Sequence, residues 1–315
     1  MKKTETAENV RKKNQTWKLM KRNYCLYLFL VPAVVFIGVF CYAPMYGVLM
    51  AFQDYSPTKG IMGSTWVGMK WFRTFFDLPR FWQIVKNTLV VSLYSLVVGF
   101  PIPIVLALMI NSVKNTRFKK LTQTVTYMPH FISTVVLCSM VIQFTNARTG
   151  LINQFLGLFG VPAVNYMAKK EYFYGIYVWS GVWQSLGYSS ILYIAALSSV
   201  SPELHEAAII DGAGIMKRIW HIDIPGILPT ICIMLIMQCG RLLSMGYEKI
   251  LLLQNPLNTV VSEVISSYSY NVSINAGTPQ YSYAAAIDLF TAVINLVMLC
   301  LVNGLVKKMN QTSLW

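Results

Sequence analysis

Polar side chains interrupt the long apolar runs of this 315-residue chain at helical spacings that could line a path for a solute. Such groups are costly inside a membrane, so each marks either a pathway or a helix–helix contact. The residues alone leave these two interpretations open. The candidates for a pathway are Trp183, Gln184, Tyr188, Gln238, Arg241, Asp288 and Asn295.

Arg241 is the most demanding of these side chains, because a guanidinium at mid-membrane costs about 2.5 kcal/mol or more on insertion scales. An ion pair with Glu248 or Asp288 would offset that cost in every state of the protein. A carboxylate on a solute would do so only when the solute is bound. We favour the internal pair, because carboxylates lie within reach: Gln238, Arg241, Met245 and Glu248 share one face if the helix is continuous.

Motifs for covalent chemistry are missing from the sequence. It contains no P-loop, no HExxH and no GxSxG. Its three histidines, His130, His205 and His221, lack metal-ligand spacing, and its six cysteines lie in or beside apolar runs without a CxxC. We therefore predict no catalytic residues, no metal site and no disulfides, and a membrane-embedded enzyme has little support.

A polar stretch, residues 201–229, separates two of the apolar runs. Ser201 and Glu203 suit a helix start, and Gly212 suits its end, because glycine accepts a left-handed backbone. Residues 215–221 suit a second short helix. Four acids against two bases argue mildly against a lipid-surface helix. The residue pattern still leaves lipid contact and partner docking open.

The composition indicates an integral membrane protein. Hydrophobic residues make up 55% of the chain and charged residues 12%, about half the usual charged fraction of soluble domains. The mean hydropathy is +0.51. Much of the net charge of +14 lies in the N-terminal tail and in short loops, where it indicates orientation in the membrane rather than binding to nucleic acid.

Six apolar runs predict an all-α integral membrane fold with six transmembrane helices. The basic tail 1–23 and the basic loop 111–122 place both termini on the cytoplasmic side. A transmembrane domain would then cover residues 24–305, and residues 306–315 would form a second cytoplasmic tail. The predicted spans are residues 24–50, 83–110, 123–144, 172–200, 228–245 and 281–305.

The polar stretch, read as SPELHEAAIIDGAGIMKRIWHIDIPGILP, resembles the EAA loop of the membrane subunits of bacterial ABC importers. The segments YAPMYGVLMAFQDYSP, WVGMKWF and TYMPHFIS resemble LplB-like carbohydrate permeases, which are related to the larger membrane subunit of the maltose importer. The resemblance implies a type I ABC importer permease fold with a cytoplasmic coupling loop at residues 201–227. It assigns ATPase coupling to Glu203, Glu206, Ala207, Ala208, Asp211, Gly212, Ile222 and Pro225.

The same resemblance implies the partners and the location. A second permease would complete a heterodimer in the lipid of a bacterial cytoplasmic membrane. An ATPase dimer holding ATP and Mg would dock at the coupling loop, so this chain would need no cofactor of its own. An extracytoplasmic binding protein would deliver an oligosaccharide. The alternative function is a stand-alone secondary transporter or channel that uses Asp288 as an ion site.

Overall fold

The computed structural model describes residues 21–275 and 277–308, and these are mainly helical. The tails predicted at 1–23 and 306–315 lie almost wholly outside the described residues. The chain divides into two compact units, one ending at Gly68 and the other beginning at Met69.

The first unit is a long apolar helix followed by a small hairpin. The helix runs through α1 (Tyr24–Ile37), a π-helical turn (Gly38–Tyr42), α2 (Ala43–Met45) and a 3-10 segment (Tyr46–Phe52). This run is long and apolar enough to cross a membrane, and none of the side chains in its most apolar window is buried. Strands β1 (Gln53–Asp54) and β2 (Thr65–Trp66) pair antiparallel around α3 (Gly60–Gly63).

The second unit opens with three helices. They are α4 (Lys70–Phe76), α5 (Phe81–Gly99) and α6 (Pro101–Ser112). The residues of α5 and α6 were predicted as one span, and together they form one 32-residue candidate. The boundary between them lies at Pro101, which has no backbone N–H to donate to the preceding turn.

The predicted straight span at 123–144 is instead sharply bent. Helix α7 (Thr116–Tyr127) is followed by a 3-10 turn (Met128–Phe131) and by α8 (Thr134–Phe144). The bend is 97°. Pro129 opens the 3-10 turn, and the Ser133 hydroxyl caps α8 by accepting from the backbone N–H of Val136. Because the apolar run was continuous, the sequence analysis did not predict a break at Pro129 and Ser133.

A long helix forms the centre of the second unit. After α9 (Leu151–Gly157) and a 3-10 turn (Tyr166–Ala168), α10 spans Lys170–Leu197. Its buried residues, among them Tyr177, Val178 and Val182, join a core cluster with Val91 of α5. Tyr193 and Leu197 join a second cluster with Ala107 of α6.

The polar stretch forms α11 (Pro202–Ile210) and α12 (Ile215–Arg218). The second helix does not end near residue 221 as predicted. It continues through a π-helical turn (Ile219–Asp223) into α13 (Ile224–Cys239). Pro225 lies in the first turn of α13, directly after this π-helical turn, so the change in the helical hydrogen-bond pattern coincides with a residue that has no backbone N–H to donate.

The predicted fifth span, 228–245, also differs, because α13 ends at Cys239 and a non-helical segment follows. The chain then forms α14 (Tyr247–Leu253), α15 (Thr259–Ser262), α16 (Ile265–Tyr270) and a π-helical turn (Asn271–Asn275). The last helix, α17, covers Tyr281–Lys308 and matches the sixth predicted span.

Within the described residues, four helical runs are long and apolar enough to cross a membrane, or five if the bent pair counts as one span. Helix α10 is long enough but is not among them. Its tyrosines, tryptophans and serines lower its hydropathy, although it is the helix around which its neighbours pack.

Candidate functional site

A cavity of about 580 Å³ opens between α5, α10, α13 and α14. Its floor is apolar, and its polar groups are hydroxyls, amides and two cations. Among the described residues that line it, none is acidic. The polar lining residues are Ser92, Ser95, Tyr177, Gln184, Ser185, Ser189, Gln238, Arg241 and Lys249.

Lys249 is held in this cavity by uncharged groups. Its Nζ donates to the backbone carbonyl of Tyr177 at 2.7 Å and lies 4.6 Å from the centre of the Tyr177 ring. Gly181, one turn further along α10, leaves the room that the ammonium occupies. A methyl group built there would lie 2.9 Å from Nζ. The ammonium is therefore fixed in place, and among the described residues no carboxylate forms an ion pair with it.

Arg241 lies in the non-helical segment after α13 and also lines the cavity. The internal ion pair that we favoured from the sequence is not formed, since within the described residues Arg241 makes no ion pair with Glu248 or Asp288. The continuous helical face behind that expectation is absent, because the helix ends at Cys239. Gln238, Arg241 and Met245 nevertheless reach the same cavity, whereas Glu248 does not.

The pathway candidates on α10 have different surroundings. Gln184 lines the cavity, and its Nε2 donates to the backbone carbonyl of Ile132 at 2.8 Å, at the bend between α7 and α8. Tyr188 stacks on His130, with ring centres 3.8 Å apart. Trp183 is 49% exposed and does not line the cavity.

Asp288 and Asn295, the candidates on α17, lie away from the cavity lining. The Asp288 carboxylate accepts a hydrogen bond from the Ser269 hydroxyl at 2.8 Å. Asn295 is buried, accepts from the backbone N–H of Leu243 at 3.0 Å, and donates to the Ser244 hydroxyl at 2.7 Å. These bonds are helix–helix and helix–loop contacts of the kind that polar groups make inside membrane bundles.

Sequence reasoning missed Lys249 and the cavity serines. Lys249 follows Glu248 and precedes Ile250 and three leucines, and it lies beyond the end of the predicted fifth span at residue 245. The sequence does show a lysine next to four apolar residues, and it shows small residues along α10, namely Gly181, Ser185 and Ser189. The contact between Lys249 and this face of α10 could not be predicted without knowing that the helix breaks after Cys239.

The coupling candidates lie on an open surface. Helix α11 contains no buried residue, and Glu203, Glu206, Ala207, Asp211, Gly212 and Pro225 are exposed, while Ala208 and Ile222 are half-buried. Gly212 has φ of +75°, so it ends α11 in the left-handed conformation as predicted. Large apolar side chains are exposed beside it, with Ile210 at 86% and Trp220 at 63%. A surface of this kind suits a protein partner.

Comparison with known families decides the class of protein. Residues 99–311 match the family described as binding-protein-dependent transport system inner membrane component. The chain belongs to this family. It is therefore a permease subunit that crosses a bacterial membrane several times, and it is not an enzyme, since ATP hydrolysis belongs to a separate subunit. This removes the alternative of a stand-alone transporter that relies on Asp288.

Two curated relatives come from Bacillus subtilis. The permease is 39% identical to the polygalacturonan/rhamnogalacturonan transport system permease protein YteP, over 95% of this chain and 92% of the relative. It is 37% identical to protein LplB, over 94% and 92% respectively. The predicted resemblance to LplB-like carbohydrate permeases is confirmed.

A solved structure shares the fold. The permease resembles a chain of a bacterial ABC transporter that imports the acidic polysaccharide alginate, with a TM-score of 0.85 and 37% identity, covering 94% of this chain and 100% of that one. The permease also resembles a chain of a bacterial alginate ABC transporter solved in complex with a periplasmic protein bound to an alginate pentasaccharide, with a TM-score of 0.85 and 37% identity over 95% of this chain and 99% of that one. The type I ABC permease fold is thereby confirmed.

Proposed function

We propose that this permease passes oligosaccharides bearing carboxylates through the cavity between α5, α10, α13 and α14. The observation that carries the proposal is the lining, which combines Arg241 and Lys249 with hydroxyls and amides and has no acid among its described residues. Sugars need many hydrogen-bonding partners, and uronate carboxylates need cations. The lining offers both kinds of group.

The two cations have complementary roles in this proposal. Lys249 is a point charge fixed against Tyr177, whereas Arg241 offers a planar fork that can bind a carboxylate through two parallel hydrogen bonds. Lys249 is half-buried and Arg241 is exposed. A cation that loses its water as a pathway closes is unfavourable without a counter-ion, and a cargo carboxylate would remove that penalty. The names of the relatives support an acidic cargo, since both alginate and polygalacturonan are polymers of uronic acids.

The cargo would be delivered by an extracytoplasmic binding protein, and a second permease would complete the pathway as a heterodimer. The solved complex of the alginate importer with its periplasmic protein supports this arrangement. In the membrane we propose six spans with both termini cytoplasmic. They are the four apolar helical runs, the bent pair α7–α8, and α10, whose polar face is shielded by its neighbours.

The exposed stretch 201–227 would dock on the ATPase dimer, which binds ATP and Mg. Negative charge would come from Glu203, Glu206 and Asp211. The small side chains of Ala207 and Ala208 would allow the ATPase to approach closely. The turn after α11 and the entry to α13 would be shaped by Gly212, Ile222 and Pro225. The exposure of most of α11 supports this proposal, because the described chain leaves the face with Glu203, Glu206 and Ala207 uncovered.

The cargo proposal is tested in proteoliposomes that contain the whole importer and its binding protein. Arg241→Gln and Lys249→Gln should leave assembly intact and should lower uptake of a uronate oligosaccharide about tenfold more than uptake of a neutral one, as expected for the loss of a charge-assisted pair worth about 1.5–3 kcal/mol. Lys86→Gln, an exposed lysine on α5, is the control for loss of one charge. Equal effects on acidic and neutral sugars would contradict the proposal.

The docking proposal is tested separately by Glu206→Lys, which reverses one charge on α11. The ATPase should then co-purify less well and uptake should stop, while the permease still inserts in the membrane. Normal uptake by this variant would remove the docking assignment and would leave the cargo proposal unaffected.

A further inference from the structure

Helix α11 contacts the body of the second unit through a polar pair. His205 and Ala208, one turn apart, are its half-buried positions, and the rest of the helix is exposed. The Nε2 atom of His205 lies 3.3 Å from Oδ1 of Asp223. Asp223 is the last residue of the π-helical turn that leads into α13, and its side chain is only 6% exposed. The pair therefore joins α11 to the base of α13.

Asp223 has few means of tolerating its burial. In the part of the chain that the structure describes, its Oδ1 has no hydrogen-bond partner other than His205, so His205 and neighbouring positive charge stabilise the carboxylate. His205 when protonated and Arg218 supply that charge. Both line a cavity of about 300 Å³ with Asp223, together with Lys114 and the end of α6. A buried carboxylate that depends on a side chain of another helix fixes the position of that helix.

We propose that His205 and Asp223 are positioning residues that transmit movement of α11 to α13. This inference rests on the proposed docking of the ATPase at α11. Along the chain, α11 is joined to α13 through the exposed turn containing Gly212 and Gly214 and then through α12. A turn with two glycines can absorb a displacement of α11 by changing its own dihedral angles.

The His205–Asp223 pair provides a direct contact between α11 and the base of α13. Helix α13 has 16 residues, so it spans about 24 Å at a rise of about 1.5 Å per residue. Its far end carries Gln238, and Arg241 follows in the next turn of chain, so both line the large cavity. A displacement of Asp223 along the axis of α13 therefore becomes a displacement of the groups proposed to bind the cargo.

The test uses the complete importer with its binding protein in proteoliposomes. His205→Ala and Asp223→Asn each remove the pair, and the exchanged variant His205→Asp/Asp223→His restores opposite charges in reverse order. The ATPase that co-purifies, the ATP hydrolysed and the cargo taken up are measured together. Arg80→Gln, which removes an ion pair with Glu263 in another part of the chain, is the matched control.

We expect each single variant to retain the ATPase and to hydrolyse ATP, while the cargo taken up per ATP falls about tenfold, a size typical of coupling energies. The exchanged variant should recover most of that ratio, and Arg80→Gln should leave it unchanged. A normal ratio in the single variants would overturn the proposal. The proposal would also be overturned if the exchanged variant restored assembly of the importer but not the cargo taken up per ATP, because the pair would then only stabilise the fold. Glu206→Lys tests the docking assignment independently of these outcomes.

Discussion

Asn295 on α17 accepts a hydrogen bond from the backbone N–H of Leu243. Leu243 lies in the non-helical segment that follows the end of α13 at Cys239. The same side chain donates to the Ser244 hydroxyl. The helical ladder is broken at this point, and backbone groups at membrane depth must find other partners. Asn295 supplies them from the next helix, so the break is a supported feature of the fold.

Asn295→Leu should therefore destabilise the permease by about 1–3 kcal/mol, because it leaves the buried N–H of Leu243 without its partner. The measurement is thermal unfolding of the purified permease in detergent. Thr291→Val, on the same helix, removes only a bond to the helix's own backbone and is the control. If Asn295→Leu instead has normal stability and altered sugar preference, the residue belongs to the pathway.

Gly187→Ala should disrupt the crossing of α10 with the bent span. Gly187 packs directly against the backbone carbonyl of Thr126, and a methyl group at 187 would overlap with it. We expect a loss of about 1–3 kcal/mol, the usual range for overpacking, and lower yield of assembled importer. Gly175→Ala on the same helix has open space around the new methyl group and should be neutral or slightly stabilising. Equal stability of the two variants would argue against a tight crossing.

Gly181→Ala should move Lys249 without unfolding the protein. The new methyl group would lie 2.9 Å from Nζ, and a lysine side chain can shift away at small cost. The ammonium would then lose its bond to the Tyr177 carbonyl. We expect reduced uptake of uronate oligosaccharide with unchanged melting temperature and unchanged uptake of neutral sugar. Unaltered acidic uptake would show that the exact position of Lys249 is unimportant.

Gly212→Ala should weaken coupling more than Gly214→Ala. Both glycines lie in the turn after α11, but only Gly212 has a positive φ, where an alanine costs about 1–2 kcal/mol. We expect less co-purified ATPase and lower uptake for Gly212→Ala, and larger effects for Gly212→Val. Gly214→Ala, which has nothing close to its new methyl group, should behave like wild type. Similar losses in both variants would point to a different cause.

The ion pair of Arg80 and Glu263 predicts a pH dependence. The two groups lie 3.2 Å apart, and burial raises the pKa of Glu263 while the Arg80 guanidinium opposes that rise. A carboxyl group whose pKa is higher in the folded than in the unfolded state disfavours folding when it is ionised. This penalty grows as the pH rises from the pKa of the unfolded state through the pKa of the folded state. Arg80→Gln should make this penalty larger at pH 7.5, by at most about 1 kcal/mol because Arg80 is half exposed.

The difference in melting temperature between Arg80→Gln and wild type should accordingly shrink as the pH falls below the pKa of Glu263, where the carboxyl group is neutral in both proteins. Lys86→Gln removes a charge from α5, the helix that Arg80 precedes, at a lysine that forms no ion pair among the described residues, and it should show no such trend. A difference that stays constant from pH 7.5 to pH 5 would mean that the pair does not control the titration of Glu263.

The sequence predicted the features that depend on neighbouring residues. The long apolar runs located α1 and α17, and Gly212 marked the end of α11 because the left-handed turn is a property of that residue. The polar stretch 201–229 predicted helix α11 for the same reason, since its residues are consecutive, and its assignment to ATPase coupling stays a prediction.

The breaks in the helices could not be predicted, because distant residues support them. Gln184 donates to Ile132 at the bend of α7–α8, and Asn295 accepts from Leu243 after α13. Both amides were correctly singled out as unusual in a membrane helix, but the backbone groups they satisfy lie about 50 residues away. The cavity cation Lys249 was missed for the same reason, since only the break brings it beside Tyr177.

The two positive charges of the cavity should affect ATP turnover by the importer in the absence of cargo. Closing an empty cavity would strip water from Arg241 and Lys249 and leave two like charges within one poorly polarisable space. A polyanionic chain in the cavity would turn that repulsion into attraction. The permease would therefore resist idle turnover by electrostatics alone, and neutralising Lys249 should raise the rate at which the importer consumes ATP in the absence of sugar.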